Sequence, residues 1–116
     1  MTIKRIQTVY VAADEVAACA AFYEQALGLP VRFRDGERWV QFTVDGVGFA
    51  VASRDEAASG AASGAVVVFE ATDAADHDRI VAGGASLIGE RDMGDHGRTR
   101  TYRDPAGNLM QLFWRA

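Results

Sequence analysis

The sequence predicts an α+β domain made of two tandem βαβββ units with a groove between them. Three observations predict it. Each half of the chain reads as one strand, one helix and three further strands. Paired landmarks recur at a single offset between the halves. A stretch rich in alanine, serine and glycine separates them.

In the first half, Gln7-Thr8-Val9-Tyr10-Val11 is dense in β-forming residues and reads as a strand. Asp14 stands where a helix N-cap belongs, ahead of a helix from about Glu15 to Leu27. Val16, Ala20, Tyr23 and Leu27 recur at helical spacing, and Gly28 is a C-terminal stop. Pro30 has no amide hydrogen with which to continue a helix. Three strands follow at Val31–Arg34, Arg38–Val44 and Val47–Ala52, with Asp35-Gly36 and Asp45-Gly46 as hairpin turns.

The second half repeats the order. Ala65–Ala71 reads as a strand, and Asp73 caps a helix to about Ala82 with Gly83-Gly84 as its stop. Strands are expected at Ala85–Ile88, Thr99–Arg103 and Asn108–Arg115, with Asp104-Pro105-Ala106-Gly107 as the last turn.

The cap aspartates Asp14 and Asp73 are 59 positions apart, and so are the turn aspartates Asp45 and Asp104. Two independent landmarks with one offset argue for duplication of a unit. The expected organisation is one domain, with unit one at residues 1–52, a linker at 53–63 and unit two at 64–116. A unit of about 50 residues buries too little apolar surface to be stable alone, so the two must pack together within or between chains.

Composition bounds the function. Of 116 residues, 49% are hydrophobic and 24% charged, the balance of a globular domain. Net charge is −4 with no Lys/Arg run to track a phosphate backbone, so no nucleic acid is expected as a partner. The first residues, Met-Thr-Ile-Lys-Arg-Ile-Gln, precede no long apolar segment. No membrane association is expected, and with the single Cys19 a cytoplasmic location is. Cys19 falls inside the first helix with no neighbouring base and reads as a small buried residue. No phosphate-cradling glycine loop, Ser/His/Asp order or metal-type Cys/His spacing is present.

Two motifs carry a resemblance. Ala21-Phe22-Tyr23-Glu24-Gln25-Ala26-Leu27-Gly28-Leu29 resembles the helix end of the vicinal oxygen chelate superfamily, with its Phe-Tyr pair and Leu-Gly stop. Arg103-Asp104-Pro105-Ala106-Gly107-Asn108-Leu109 resembles that superfamily's Asp-Pro-x-Gly-Asn turn. The likeness runs in order along essentially the whole chain. The superfamily includes glyoxalase I, extradiol dioxygenases, fosfomycin-modifying enzymes, epimerases and metal-free bleomycin resistance proteins, so fold alone does not fix function. The resemblance implies a mixed sheet curled around a cavity, helices on the convex side, and a homodimer.

Metal-using members of that superfamily place one ligand seven residues before each helix-cap position and one seven after each turn aspartate. These places hold Gln7, Val66, Ala52 and Gln111 here. Val66 and Ala52 carry no donor atom, and two neutral amides do not repay the dehydration of a divalent ion. No metal and no other cofactor is expected.

Residues in phase with those four positions are expected to line the cavity. They are Gln7, Val9 and Val11 on the first strand, and Gly48, Ala50 and Ala52 on the first unit's last strand. Val66, Val68 and Glu70 open the second unit, and Leu109, Gln111 and Phe113 close it. Val40, Phe42 and Val44 look like core, which turns Trp39, Gln41 and Thr43 to the cavity. By the common offset Arg98, Arg100 and Tyr102 follow. Trp39 suits stacking on a flat ligand, and Arg98 or Arg100 suits an anionic group. His96 lies in the glycine-flanked segment Asp92–Gly97, placed to act as a lid, with Asp95 or Glu70 as a possible partner for proton transfer. His77 reads as a helix-surface residue.

Two main readings follow. One is a metal-free protein that binds an aromatic or amphipathic small molecule in the groove. The alternative is an enzyme of the same superfamily. That enzyme is either a metal-independent isomerase, cyclase or lyase using His96, Glu70 or Tyr102, or a metal-dependent lyase or dioxygenase. A third reading is a domain kept for dimerisation or regulation.

Overall fold

The computed structural model describes residues 6–57 and 66–115. Most of the expected linker, residues 58–63, lies outside the described residues, as does Ala65 at the head of the fifth expected strand.

The first unit contains β1 (Thr8–Ala13), α1 (Val16–Gln25), β2 (Val31–Asp35), β3 (Trp39–Val44) and β4 (Val47–Ser53). The second contains β5 (Val67–Glu70), α2 (His77–Ala82), β6 (Ser86–Asp92), a short 3-10 turn at Gly94–His96, β7 (Arg98–Arg103) and β8 (Leu109–Trp114). Each unit forms a four-stranded mixed sheet, in the orders β1-β4-β3-β2 and β5-β8-β7-β6. The outer pairs β1–β4 and β5–β8 are parallel and the hairpins antiparallel, as the βαβββ order requires. The two sheets are open rather than joined into a barrel. No helix among the described residues is long and apolar enough to cross a membrane.

Both helix starts differ from expectation. Glu15, not Asp14, precedes the first turn of α1, and no side chain caps it. The Asp14 carboxylate instead accepts from Arg54 Nε at 2.7 Å. Asp73 Oδ1 accepts from the amide of Ala75 at 2.8 Å, closing a turn, and α2 starts only after Asp76. An aspartate ahead of an apolar run suits either an N-cap or an Asx turn, and at Asp73 the second wins. β6 runs four residues beyond its expected end, because Gly89–Asp92 continue the ladder opposite Arg98–Thr101.

One core joins the units. Tyr23 of α1 sits at its centre, fully buried, with ring centroids 5.0 Å from Phe22, 4.8 Å from Phe49 and 6.3 Å from Phe69. Val11, Val40, Phe42 and Val51 come to this core from the first sheet, and Tyr102, Met110 and Leu112 from the second. The helices touch at their ends. Arg79 Nε donates to the Ala26 carbonyl at 2.6 Å, satisfying an acceptor left open where α1 ends. A Cβ on Gly83 would lie 2.7 Å from that of Ala26, so glycine permits this approach.

The turn Asp104–Asn108 ties the second unit to the first. Asp104 Oδ1 accepts from the amides of Ala106 and Asn108 at 2.8 and 2.9 Å, which shapes the turn. Its Oδ2 accepts from the Tyr23 hydroxyl at 2.7 Å, with Cys19 Sγ at 3.7 Å. Asn108 Nδ2 donates to the Ala12 carbonyl of β1 at 2.7 Å. Burial, and then the adjoining Asp104 carboxylate, push both the Cys19 thiol and the Tyr23 phenol well above their ordinary values. Cys19 is therefore a protonated structural thiol.

Candidate binding site

The helix-free face of the first sheet is built from alternate residues of three strands. Register sets Thr8 beside Gly48, Tyr10 beside Ala50 and Ala12 beside Ala52, with Thr43, Gln41 and Trp39 across from the same three. The middle strand thus offers only small side chains here. Large side chains on the flanking strands meet above it, and the Tyr10 and Trp39 rings lie with centroids 5.5 Å apart at 53°. Trp39 Nε1 donates to Gln41 Oε1 at 2.8 Å, which fixes both side chains. Gln41 is only 6% exposed. A Cβ on Gly48 would lie 2.7 Å from both Gln41 Nε2 and Thr8 Oγ1, so the missing side chain gives the amide its room.

The edge strand completes the site. Pairing of β2 with β3 shifts between Val31 and Phe33, and Arg32 stands at that irregularity. Val31 packs against the core, whereas Arg32 and Phe33 both border the same pocket as Tyr10 and Trp39. The pocket has a volume of about 450 Å³, and Gln7, Thr8 and Gln41 supply its other polar groups. Aromatic walls with a few orienting polar groups are the chemistry of a small-molecule site.

The corresponding face of the second sheet carries other side chains. Val68, Gln111 and Thr101 align across it, as do Glu70, Phe113 and Thr99. Gln111 Nε2 donates to Thr101 Oγ1 at 2.9 Å. Val68 is 53% exposed, and Val66 and Leu109 extend the apolar stripe.

Residues 8–113 match the family profile described as a glyoxalase-like domain. The chain belongs to the glyoxalase-like domain family. Solved structures agree on the fold. A glyoxalase-related enzyme from Fulvimarina pelagi superposes with a TM-score of 0.80 at 16% identity, over 97% of this chain and 89% of that one. A lactoylglutathione lyase from Agrobacterium tumefaciens gives 0.77 at 21% identity, over 98% and 96%. A glyoxalase/bleomycin resistance protein/dioxygenase family enzyme from Burkholderia phytofirmans PsJN gives 0.79 at 16% identity, over 97% and 100%. A search of curated proteins finds no match.

Some members of the glyoxalase-like fold use a metal, and the donor set here does not fit one. Gln7 is exposed ahead of β1, Ala52 is buried, Val66 is exposed, and the Gln111 amide is engaged by Thr101. Among the described residues no three of His, Cys, Asp or Glu come together.

The orientation of several expected lining residues is corrected. Val9 registers with Phe49, and Val11 with Val51, so both turn to the helix side while Thr8, Tyr10 and Ala12 take the free face. Arg98, Arg100 and Tyr102 also lie on the helix side of their sheet. Tyr102 is fully buried, its hydroxyl hydrogen-bonded to His77 Nδ1 at 2.8 Å, and burial raises its pKa. His77 is accordingly half-buried rather than a surface residue. Arg100 pairs with Glu90 at 3.0 Å and stacks over Trp114 at 5.5 Å, while Arg98 stands 3.5 Å from Asp92. Gly48, Ala50, Ala52, Trp39, Gln41 and Thr43 face the helix-free side of their sheet, and Val68, Glu70, Leu109, Gln111 and Phe113 that of theirs; the pocket itself lies within the first unit, not between the units.

The expected proton-transfer groups are not assembled. His96 is exposed, and among the described residues its ring bonds to neither Asp95 nor Glu70. Tyr102 is on the opposite side of the sheet from Glu70. The segment around His96 closes the β6–β7 hairpin through Met93 N to Gly97 O at 2.8 Å. It is thus a turn bonded across its base, and Gly97 packs against the Phe113 ring. Thr8, Tyr10, Arg32 and Phe33 escaped sequence reasoning. Tyr10 was hidden by the strand's phase, and Phe33 by a bulge that alternation does not reveal.

Proposed function

We propose that this glyoxalase-like chain is a metal-free small-molecule-binding protein that holds a planar aromatic or amphipathic ligand against Tyr10 and Trp39. The observation that carries this reading is the pocket itself. Two aromatic rings stand over a floor of Gly48, Ala50 and Ala52, and the Trp39–Gln41 hydrogen bond holds one of them in place before any ligand arrives. The separation of His96, Glu70 and Tyr102 supports binding over acid–base catalysis, since proton transfer needs such groups within hydrogen-bond reach of one substrate.

We also propose that two copies associate through the helix-free side of the second sheet. Val66, Val68 and Leu109 lie there as a contiguous exposed apolar stripe, and a second copy is the partner the resemblance implies.

The test is a thermal-shift screen with a panel of planar natural products, followed by titration of tryptophan fluorescence. The expected result is saturable stabilisation with quenching that is lost in Trp39→Phe, which retains only Trp114 as a reporter. No stabilisation across the panel would defeat the proposal.

A further inference from the structure

The bulge in β2 points to the charge of the ligand, an inference that rests on the binding reading above. Regular alternation would send Arg32 to the side opposite Phe33. The register shift between Val31 and Phe33 instead lets both border the pocket. Some arginines of this chain are engaged by carboxylates, Arg34 by Glu24, Arg98 by Asp92 and Arg100 by Glu90, whereas Arg103 bonds the Gly107 carbonyl and Arg115 lies over the Phe113 ring. Arg32 has no carboxylate at ion-pair distance among the described residues, and neither Asp nor Glu lines its pocket. What distinguishes Arg32 is its place, since it borders the pocket that Tyr10, Phe33 and Trp39 line.

We infer that the pocket selects planar aromatic anions, with Arg32 pairing the carboxylate or an equivalent oxyanion while Tyr10 and Trp39 take the ring. The fork of guanidinium donors matches a carboxylate in two parallel hydrogen bonds. Gln7, Thr8 and Gln41 supply neutral donors and acceptors around it, and none repels an anion. A neutral or cationic analogue of the same ring keeps the stacking but leaves Arg32 without its partner or opposes it.

The experiment compares 2-naphthoate with its uncharged amide, 2-naphthamide, by fluorescence titration of the full chain at low and high salt. The expected result is roughly tenfold tighter binding of the carboxylate at low salt, about one charge-assisted contact. That margin shrinks as salt rises. Arg32→Gln is expected to erase the margin. Arg34→Gln, outside the pocket and paired with Glu24, is expected to keep it. Equal affinity of carboxylate and amide for the wild-type protein would overturn the charge assignment and leave the binding reading standing. Survival of the margin in Arg32→Gln would overturn the role of Arg32. Failure of both probes to bind would overturn the binding reading, and the charge assignment with it.

Discussion

The Tyr23 hydroxyl lies 2.7 Å from Oδ2 of Asp104, a buried hydrogen bond that spans 81 positions of the chain. It links the helix of the first unit to the last turn of the second, and Asp104 also shapes that turn through two amides. The two motifs that carry the family resemblance are therefore bonded to each other. Tyr23→Phe is expected to cost about 2 kcal/mol, because it removes a hydrogen bond to a carboxylate. Asp104→Ala is expected to cost more, since it also releases the turn amides. Urea denaturation of the two variants checks both the size and the order.

The same cluster sets a response to alkali. The ordinary values of the Cys19 thiol and Tyr23 phenol are 9.0 and 10.0, and both are raised in the folded chain. A raised folded-state value means the native state holds its proton after the unfolded state has released it. Stability is therefore fully present below pH 9 and falls as pH rises through and beyond these ordinary values. Each group contributes up to about 1.4 kcal/mol per pH unit. Denaturation midpoints at intervals from pH 8 to 11 should fall progressively, and Tyr23→Phe should flatten the decline.

Gly48 is the hinge between sheet and pocket. A side chain there meets Gln41 Nε2 and Thr8 Oγ1 at 2.7 Å and the Gln7 carbonyl at 2.8 Å. The amide can turn away, but the backbone oxygen cannot move as cheaply. Gly48→Ala is expected to destabilise by about 1–3 kcal/mol. It should also release the Trp39–Gln41 bond, seen as a changed tryptophan emission maximum.

The proposed association of two copies has its own readout. Val68→Lys puts a charge into the exposed stripe of the second sheet, opposite Gln111. Sedimentation equilibrium should report a dimer for the parent chain and a monomer for the variant, with an unchanged circular dichroism spectrum. A monomeric parent would remove that proposal.

Element order was legible in the sequence because each element is short, apolar on a period and ended by glycine, proline or aspartate. The site was less legible, for a reason of register. In the structure, core-facing Val11 and Val51 pair in the first sheet as Phe69 and Leu112 do in the second; Phe42 and Phe49 pair as Tyr102 and Met110 do. Against the landmark offset of 59, these equivalents fall one residue short in the first strand, one beyond in the third and two beyond in the last. A single-residue slip turns a strand over, and a double slip does not. Hence the last strand was oriented as expected, while Val9 and Val11, and Arg98, Arg100 and Tyr102, were assigned to the wrong side. The extra residue between the last two strands lies in the turn. Asp45-Gly46 is a two-residue turn with φ of 48° and 79°, whereas Asp104 N bonds to Asn108 O across three residues. Landmark aspartates at equal spacing conceal that difference.

The central claim, that the pocket over Tyr10 and Trp39 takes a planar ligand, is tested most directly by a two-dimensional NMR titration with 2-naphthoate. The expected result is that the largest shift changes fall on the Trp39 indole N–H, the Gln41 side-chain amide and the backbone of Thr8 to Ala12. Changes confined to Thr101, Gln111 and Phe113, or none at saturating ligand, would contradict it.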